Sequence, residues 1–430
     1  PRVFRGLAAP ARRYACLCLT LLFSLAILFS GCKSSEEEIW EEQGTNNGKV
    51  KGKGKGSGGT GSPNALYFSG TADNKVSAIY MIRTDKESEE PLDIYLDSTA
   101  EEVSFAIDTD LGAEGLLLTH TGDETDNSPA VVTIDGGKRV IALTGEGKGS
   151  VITVGSGVKL TLKNITFKGK DGNTAPLISV TSGGELVLED GAVITGNNNT
   201  TGVGGSGVYV GVGGALVMNG GAISGNTSSA NGGMFNGGGG VAVYSGGSFT
   251  MNDGEISDNT VITHGGGVYM QNDSTFTMNG GKISGNTAAT NGGGAAVYGS
   301  STFTMNKGEI SGNTANGGSS YYGGGGVYVN ATFIMTGGVI SGNNTDYYGG
   351  GVLLRGSDSF TKTGGVIYGY TANDALSNWV GTRKVDGTRT TPDDHKADKG
   401  DVVYYYDGNT NHRETALGEG VVFNGDTGPW

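Results

Sequence analysis

The sequence predicts an all-β fold, a right-handed parallel β-helix solenoid with irregular N- and C-terminal caps. The first observation is a repeat of roughly 27 to 33 residues between positions 190 and 370, a period typical of solenoids. The second is the motif ISGN, which stands at 223–226, 283–286, 310–313 and 340–343, with ITGN at 194–197 and ISDN at 256–259. The third is the 82 glycines, which follow no G-X-Y period and recur in each repeat where tight corners need a positive φ.

The chain opens with a segment that predicts export. Arg12 and Arg13 precede an apolar run over 14–29, and the small residues Ser30 and Gly31 follow it. A basic region, an apolar region and small residues before a cleavage site are typical of a secretory signal peptide, which we place at 1–31. The alternative is a membrane anchor that stays in place, although the apolar run is short for a span. Because the chain begins with Pro1 rather than Met, we expect its start to be truncated or miscalled.

The end of this segment, Leu28-Phe29-Ser30-Gly31-Cys32, resembles the bacterial lipobox. The resemblance implies that cleavage falls before Cys32 and that Cys32 is acylated, so that it anchors the protein to a membrane. Lys33, rather than Asp, follows it, which in Gram-negative lipoproteins implies export to the outer membrane. The other cysteines, Cys16 and Cys18, lie in the signal peptide, so no disulfide is expected in the body.

The rest of the chain divides by composition. Residues 32–64 are rich in Glu, Lys, Gly and Ser and are predicted to be a flexible tether. Residues 65–130 are predicted to form an N-terminal cap with irregular first coils, and residues 131–371 the regular β-helix. Residues 372–430 lose the repeat and are predicted to form a C-terminal cap, with a last strand at 402–406.

Alignment of the repeats on ISGN places like residues in columns. The isoleucine column contains Ile194, Ile223, Ile256, Ile283, Ile310, Ile340 and Ile367. The aromatic column contains Leu216, Phe249, Phe276, Phe303, Phe333 and Phe360, and Met218, Met251, Met278, Met305 and Met335 each follow two residues later. A spacing of two puts the aromatic residue and the methionine on the same face of a strand. We therefore expect three short strands in each coil, with these columns inside.

A column of asparagines stands three residues after the isoleucines. It contains Asn197, Asn226, Asn259, Asn286, Asn313 and Asn343. Stacked Asn side chains can hydrogen-bond from coil to coil. Because Tyr370 occupies the corresponding place after Ile367, the column is predicted to end there.

Tyrosines supply the candidate binding surface. Alternation with inward-facing valines predicts that five of them point away from the core: Tyr209, Tyr244, Tyr269, Tyr298 and Tyr328. An exposed aromatic strip can stack on sugars or anchor a protein partner. The alternative interpretation is that tyrosine simply suits an exposed strand position.

Composition and spacing argue against several other functions. The formal net charge of −14 disfavours nucleic-acid binding. The four histidines, His120, His264, His395 and His412, lack metal-ligand spacing, and we predict no metal site and no cofactor. A polysaccharide hydrolase needs two converging carboxylates, whereas Glu255, Lys282 and Glu309 predict charge pairing along a solvated face. We therefore predict no catalytic residue.

The repeats also resemble two known families. GGGVY, at 265–269 and 324–328, together with ISGNTA is similar to the repeats of chlamydial polymorphic outer-membrane proteins. With the lipobox, the arrangement resembles treponemal lipoproteins that carry right-handed β-helix repeats. The resemblance implies a surface or outer-membrane protein with an adhesin-like role toward a host protein or glycan. The alternatives are a carbohydrate-active β-helix enzyme, such as a polysaccharide lyase or hydrolase, and a structural component of the envelope.

Overall fold

A computed structural model describes residues 129–144, 148–200, 204–229, 237–317, 322–355, 359–368 and 377–380. For seven more segments it describes only the strand pairing: Tyr67–Gly70, Val76–Ile79, Leu92–Tyr95, Glu102–Ala106, Leu116–Leu118, Val403–Tyr406 and Asn411–Glu414. These residues all belong to one compact unit, 47–430. The predicted signal peptide, Cys32 and the tether lie outside the described residues, as does most of the predicted C-terminal cap.

In the segments that the structure describes residue by residue, the body is a parallel β-helix of about eight turns, which confirms the predicted fold class. No residue in the described segments is helical. Each regular coil contributes three main strands and one short strand, so successive coils build four ladders of parallel strands. We name the ladders after the residue type that each one directs into the core.

The phenylalanine ladder contains ten strands, four of which are halves of longer strands that bend into a neighbouring ladder. Its strands are Leu92–Tyr95, the first halves of Ala130–Thr144 and Val158–Lys168, Glu185–Leu188, Ala215–Met218, Ser248–Met251, Thr275–Met278, the second halves of Ala295–Met305 and Val327–Met335, and Ser359–Lys362.

The isoleucine ladder follows it along each coil and also contains ten strands. They are Glu102–Ala106, the second halves of Ala130–Thr144 and Val158–Lys168, Val193–Thr195, Ala222–Ser224, Glu255–Ser257, Lys282–Ser284, Glu309–Ser311, Val339–Ser341 and Val366–Ile367.

The valine ladder precedes the phenylalanine ladder in each coil. Its strands are Leu116–Leu118, Ile152–Val154, Ile178–Val180, Val208–Val210, Val241–Tyr244, Val268–Gln271, the first halves of Ala295–Met305 and Val327–Met335, Val352–Arg355 and Val403–Tyr406. The last strand also pairs antiparallel with Asn411–Glu414, and Tyr67–Gly70 pairs antiparallel with Val76–Ile79.

A fourth, short ladder closes each coil after the isoleucine strand. Its members have two residues each: Asn198–Asn199, Thr227–Ser228, Thr260–Val261, Thr287–Ala288, Thr314–Ala315, Asn344–Thr345 and Trp379–Val380.

Like residues lie directly above one another in the core, as the sequence columns predict. Ile256 pairs with Ile283, and Ile283 with Ile310. The rings of Phe249 and Phe276 stack with centroids 4.5 Å apart and planes 2° from parallel. This spacing is close to that of neighbouring strands. The methionine column is fully buried beside the rings and ends at Lys362, whose side chain takes the place after Met335 and is buried too.

Glycine triplets make the corner that precedes the valine strands from Val241–Tyr244 to Val352–Arg355. Gly265 has a φ of +68°, which an L-residue with a side chain rarely adopts. A Cβ added to Gly267 would lie 2.7 Å from the carbonyl oxygen of Gly294 and 3.0 Å from Nδ2 of Asn286. The backbone of one coil therefore passes so close to the next coil and to the asparagine column that only glycine fits.

The buried asparagines form a hydrogen-bonded ladder beneath these corners. Nδ2 of Asn259 donates to Oδ1 of Asn286 at 2.9 Å, and Asn286 donates in the same way to Asn313 at 2.9 Å. Each amide also donates to a backbone carbonyl of the preceding coil, as Asn286 does to Ile256 at 2.8 Å. The ladder thus satisfies polar backbone groups that the tight turn would otherwise leave buried without a partner.

The predicted end of this ladder is wrong. Asn343 donates to Oδ1 of Asn378 at 2.8 Å, so Asn378 and not Tyr370 continues the column. Asn378 follows Ile367 in the sequence at a longer distance than the spacing of three seen in the other coils, so the fixed spacing could not anticipate it. At the other end the ladder begins one coil early, because Asn173 donates to Asn197 at 2.9 Å.

Candidate functional site

The five tyrosines of the predicted binding strip form one continuous row outside the central core. Tyr209 pairs with Ala242 and Ala242 with Tyr269, whereas Tyr244 occupies the position two residues further along its own strand. The same alternation repeats with Ala296 and Tyr298. Each alanine leaves room for a ring from the adjacent coils, so successive ring centroids are only 5.1 to 5.7 Å apart.

The prediction that this strip is exposed is wrong. Tyr269 is fully buried, Tyr328 is 2% exposed and Tyr244 is 5% exposed, while Tyr209 and Tyr298 are half-buried. The rings do point away from the core, as alternation predicts, but residues that precede the glycine corners lie against them, as His264 does against Tyr269 and Tyr298. Gly204 lies so close that an added Cβ would be 2.6 Å from the ring of Tyr209. The tyrosines, with Leu353 and Tyr348, therefore form a second hydrophobic cluster rather than an open strip.

His264 is held within the tyrosine cluster. Its ring lies 5.2 Å from that of Tyr298 and parallel within 18° to that of Tyr269. The Thr290 hydroxyl donates to the carbonyl of Thr263 and also lies 2.6 Å from Nδ1 of His264. The same Nδ1 also lies 3.3 Å from the Tyr298 hydroxyl, so two hydroxyls are within hydrogen-bond distance of this ring nitrogen.

Burial makes His264 a weak base. Desolvation lowers its pKa from 6.5 to about 4. Burial also raises the pKa of the Tyr269 and Tyr298 hydroxyls, which therefore stay protonated at neutral pH. At pH 7 His264 and the tyrosine hydroxyls that face it are therefore uncharged.

We expect His264 to make the fold sensitive to acid. The unfolded state takes up this proton near pH 6.5 and the folded state only near pH 4, so stability falls as the pH drops through this window. The expected loss between pH 7.5 and 4.5 is about 2 to 3 kcal/mol of the free energy of unfolding, from about 1.4 kcal/mol per pKa unit. Denaturant titrations of the wild type and of His264→Gln at both pH values measure it.

The His264→Gln variant is the matched control, because its carboxylates titrate as those of the wild type do. The difference in stability between the two proteins should shrink, or reverse in favour of the variant, at pH 4.5. A difference that is the same at both pH values would show that His264 does not carry the effect.

A different surface is both exposed and regular: the outward side of the phenylalanine ladder. From the coil of Ser248 onward its residues form three rows that run along the axis from coil to coil, whereas in earlier coils the same side carries an ion pair between Lys159 and Glu185. The first row contains Ser248, Thr275, Thr302 and Thr332; the second contains Thr250, Thr277, Thr304, Ile334 and Thr361; the third contains Asn219, Asn252, Asn279, Asn306, Thr336 and Thr363. We call these three rows the hydroxyl–amide face.

The third row is a second asparagine ladder, open to solvent. Asn252 donates to Asn219, Asn279 to Asn252 and Asn306 to Asn279, each at 2.9 Å. Asn219 ends the row by donating to Glu189 at 2.8 Å, and Thr336 donates to Asn306 at the other end. All these amides therefore point the same way along the axis, which fixes the orientation of their remaining donors.

The sequence contained the signal for this face, in the repeated phrase TFTMN. Its first, third and fifth residues share the outward side of one strand. The alternation predicts that Thr250, Thr277 and Thr304 point to solvent, but it assigns them no function. Beyond the third row the charged side chains begin, with Lys282 Nζ lying 3.6 Å from Glu309 Oε1 on the outer side of the isoleucine ladder.

Within the described segments, no group of three or more His, Cys, Asp or Glu side chains is arranged to hold a metal ion. The same segments contain no helix with the length and apolar character of a membrane span. No family model matches the chain, and no similar protein was found among curated sequences or solved structures.

Proposed function

We propose that this protein is a lipid-anchored protein of the bacterial cell envelope that uses the outer surface of its β-helix for binding. In this proposal Cys32 is acylated, the tether 32–64 separates the body from the membrane, and the body contacts a host or neighbouring cell. The protein is adhesin-like rather than enzymatic, and Lys33 directs it to the outer membrane. The lipobox-like sequence and the similarity of the repeats to treponemal and chlamydial envelope proteins support this proposal.

The observation that carries the binding role is the hydroxyl–amide face. A β-helix needs only its inward side chains for stability, and an outward strand position can accept many polar residues. On this face, however, the same hydroxyl and amide side chains recur from coil to coil and most of them are partly or fully exposed. The buried tyrosine cluster cannot offer such a surface while the loops cover it.

The lipid anchor leads to a direct prediction. Replacing Cys32 by Ser should abolish labelling by a radioactive or clickable fatty acid and move the protein from the membrane to the soluble fraction. In a lipoprotein the cysteine thiol is converted into a thioether to a diacylglyceryl group and the new amino terminus is acylated, and serine cannot replace the thiol in the first step. Cys16→Ser and Cys18→Ser are matched controls, because both cysteines lie in the predicted signal peptide.

Retention of Cys32→Ser in the membrane, without fatty-acid label in any variant, would contradict the anchor. The binding role is tested separately, by protease treatment of intact cells and by adhesion of those cells to immobilised matrix proteins and glycans. Cells that lack the protein should adhere less. A protein that resists the protease and whose loss leaves adhesion unchanged would instead be a structural component of the envelope.

A further inference from the structure

The hydroxyl–amide face has the geometry of a regular two-dimensional array. Neighbouring strands lie about 4.8 Å apart along the axis, and residues two apart on one strand lie about 6.7 Å apart. The register is unbroken over the coils of Thr250, Thr277 and Thr304. The stacked rings beneath, 4.5 and 4.6 Å apart, hold these coils at a uniform spacing.

Much of the hydrogen-bonding capacity of this array is not used by the protein. The hydroxyls of Thr250, Thr277 and Thr304 make no side-chain hydrogen bond within the described residues. Asn252 and Asn279 each use one amide hydrogen in the exposed ladder, which leaves the second available. The face therefore presents donors and acceptors, at repeated positions, to a partner that would replace water.

The charge of the face restricts that partner. No Asp, Glu, Lys or Arg occurs in the three rows, although the whole chain has a formal charge of −14. Strong attraction to a polyanion or a polycation relies on opposite charges on the face. An apolar partner would leave the hydroxyls and amides buried without hydrogen bonds. The best match is a neutral partner rich in hydroxyl groups.

The spacing of the rows from coil to coil restricts the partner further. A partner can satisfy the rows in every coil only if its own repeat is close to the spacing of the strands. An extended β-1,4-linked polysaccharide has a rise per sugar close to this spacing, whereas an α-1,4-linked glucan curves away from a straight row. We propose that the hydroxyl–amide face binds a neutral β-1,4-linked polysaccharide chain that lies along the axis, about one sugar per coil. This inference rests on the proposed function and names a ligand class for its binding role.

The affinity should depend on the length of the chain. Each sugar makes only exposed hydrogen bonds, which are individually weak, but contacts linked in one ligand add to each other. Five coils contribute two or more residues to the rows, those of Ser248, Thr275, Thr302, Thr332 and Thr361. Binding should therefore strengthen from two sugars up to about five and then level off.

The experiment uses the full chain and defined oligosaccharides. Calorimetry with β-1,4-linked glucose oligosaccharides of two to six sugars measures the length dependence, and co-sedimentation with insoluble β-1,4-glucan measures binding to the polymer. Soluble α-1,4-linked oligosaccharides of equal length, which differ only in the linkage, are the ligand control.

Two variants in one coil test the location. Thr277→Lys places a long charged side chain in the centre of the face and should weaken binding of the five-sugar ligand at least about tenfold, because it divides the array. Ser284→Lys adds the same group on the outer side of the isoleucine ladder, near the carboxylate of Glu255, and should bind as the wild type does. Equal midpoint temperatures of thermal unfolding in the two variants would show that both are folded.

Three results would overturn this inference: equal binding of α- and β-linked ligands, equal loss in Thr277→Lys and Ser284→Lys, or no binding of any β-1,4-linked ligand. These results would leave the proposed function standing if cells with the protein still adhere to matrix proteins or to other glycans. Loss of adhesion in every assay would instead count against the proposed function itself.

Discussion

Replacing Asn286 by Ala is expected to destabilise the β-helix by at least about 3 kcal/mol, because a buried polar group left without a partner costs about 1 to 3 kcal/mol. The Asn286 amide donates to the Ile256 carbonyl and to Asn313, and its oxygen accepts from the backbone and side-chain amides of Asn259. Alanine removes all four bonds in a place that solvent does not reach. Chemical denaturation and hydrogen exchange of the amides in the flanking coils measure the loss.

The same coil offers a matched control. Asn279 is also an asparagine in a ladder, with one bond to Asn252 and one from Asn306, but it is exposed. Water can replace those partners, so Asn279→Ala should cost no more than about 1 kcal/mol. If the two variants lost equal stability, burial would not be the reason for the cost, and the structural role assigned to the inner ladder would be wrong.

Phe276→Ala should be comparably severe, with an expected loss of about 3 to 5 kcal/mol, the usual range for removing a buried aromatic ring. Phe276 is fully buried and stacks on Phe249 at 4.5 Å and on Phe303 at 4.6 Å. Its removal leaves a cavity between two rings that the backbone ladders hold apart. Denaturant titration compared with the wild type measures this effect.

Phe276→Leu is the informative comparison. Leu216 occupies the same column two coils earlier, where it pairs with Phe249. The column therefore accepts leucine, and this variant should lose clearly less stability than Phe276→Ala. An equal loss in both would show that ring stacking, and not filled volume, dominates the column.

The core could be predicted from the sequence because its signal is periodic. Ile256, Ile283 and Ile310 occupy equivalent places in ISGN-type motifs, and a parallel coil can align such places only by stacking them. The buried asparagines followed from the same alignment. The prediction failed at both ends of the column, where Asn378 and not Tyr370 follows Asn343 and where Asn173 precedes Asn197.

The candidate site was harder to predict, as Tyr269 and Asn279 show. Alternation along a strand tells whether a side chain points toward the core or away from it. It does not tell whether another segment covers the outward side. Tyr269 points outward and is buried by a loop, whereas Asn279 points outward and meets solvent.

The sequence by itself determined the β-helix, the residues that stack inside it and the direction in which each strand side chain points. Those properties depend on local periodicity and on the repetition of equivalent positions, both of which can be counted along the chain. Only the tertiary structure decided which outward faces are open, because alternation along a strand does not show which other residues lie over it, as His264 lies against Tyr269 and Tyr298. The repeated TFTMN phrase placed the hydroxyls and amides on one side, but their access to solvent, on which the proposed ligand class depends, was decided by the fold.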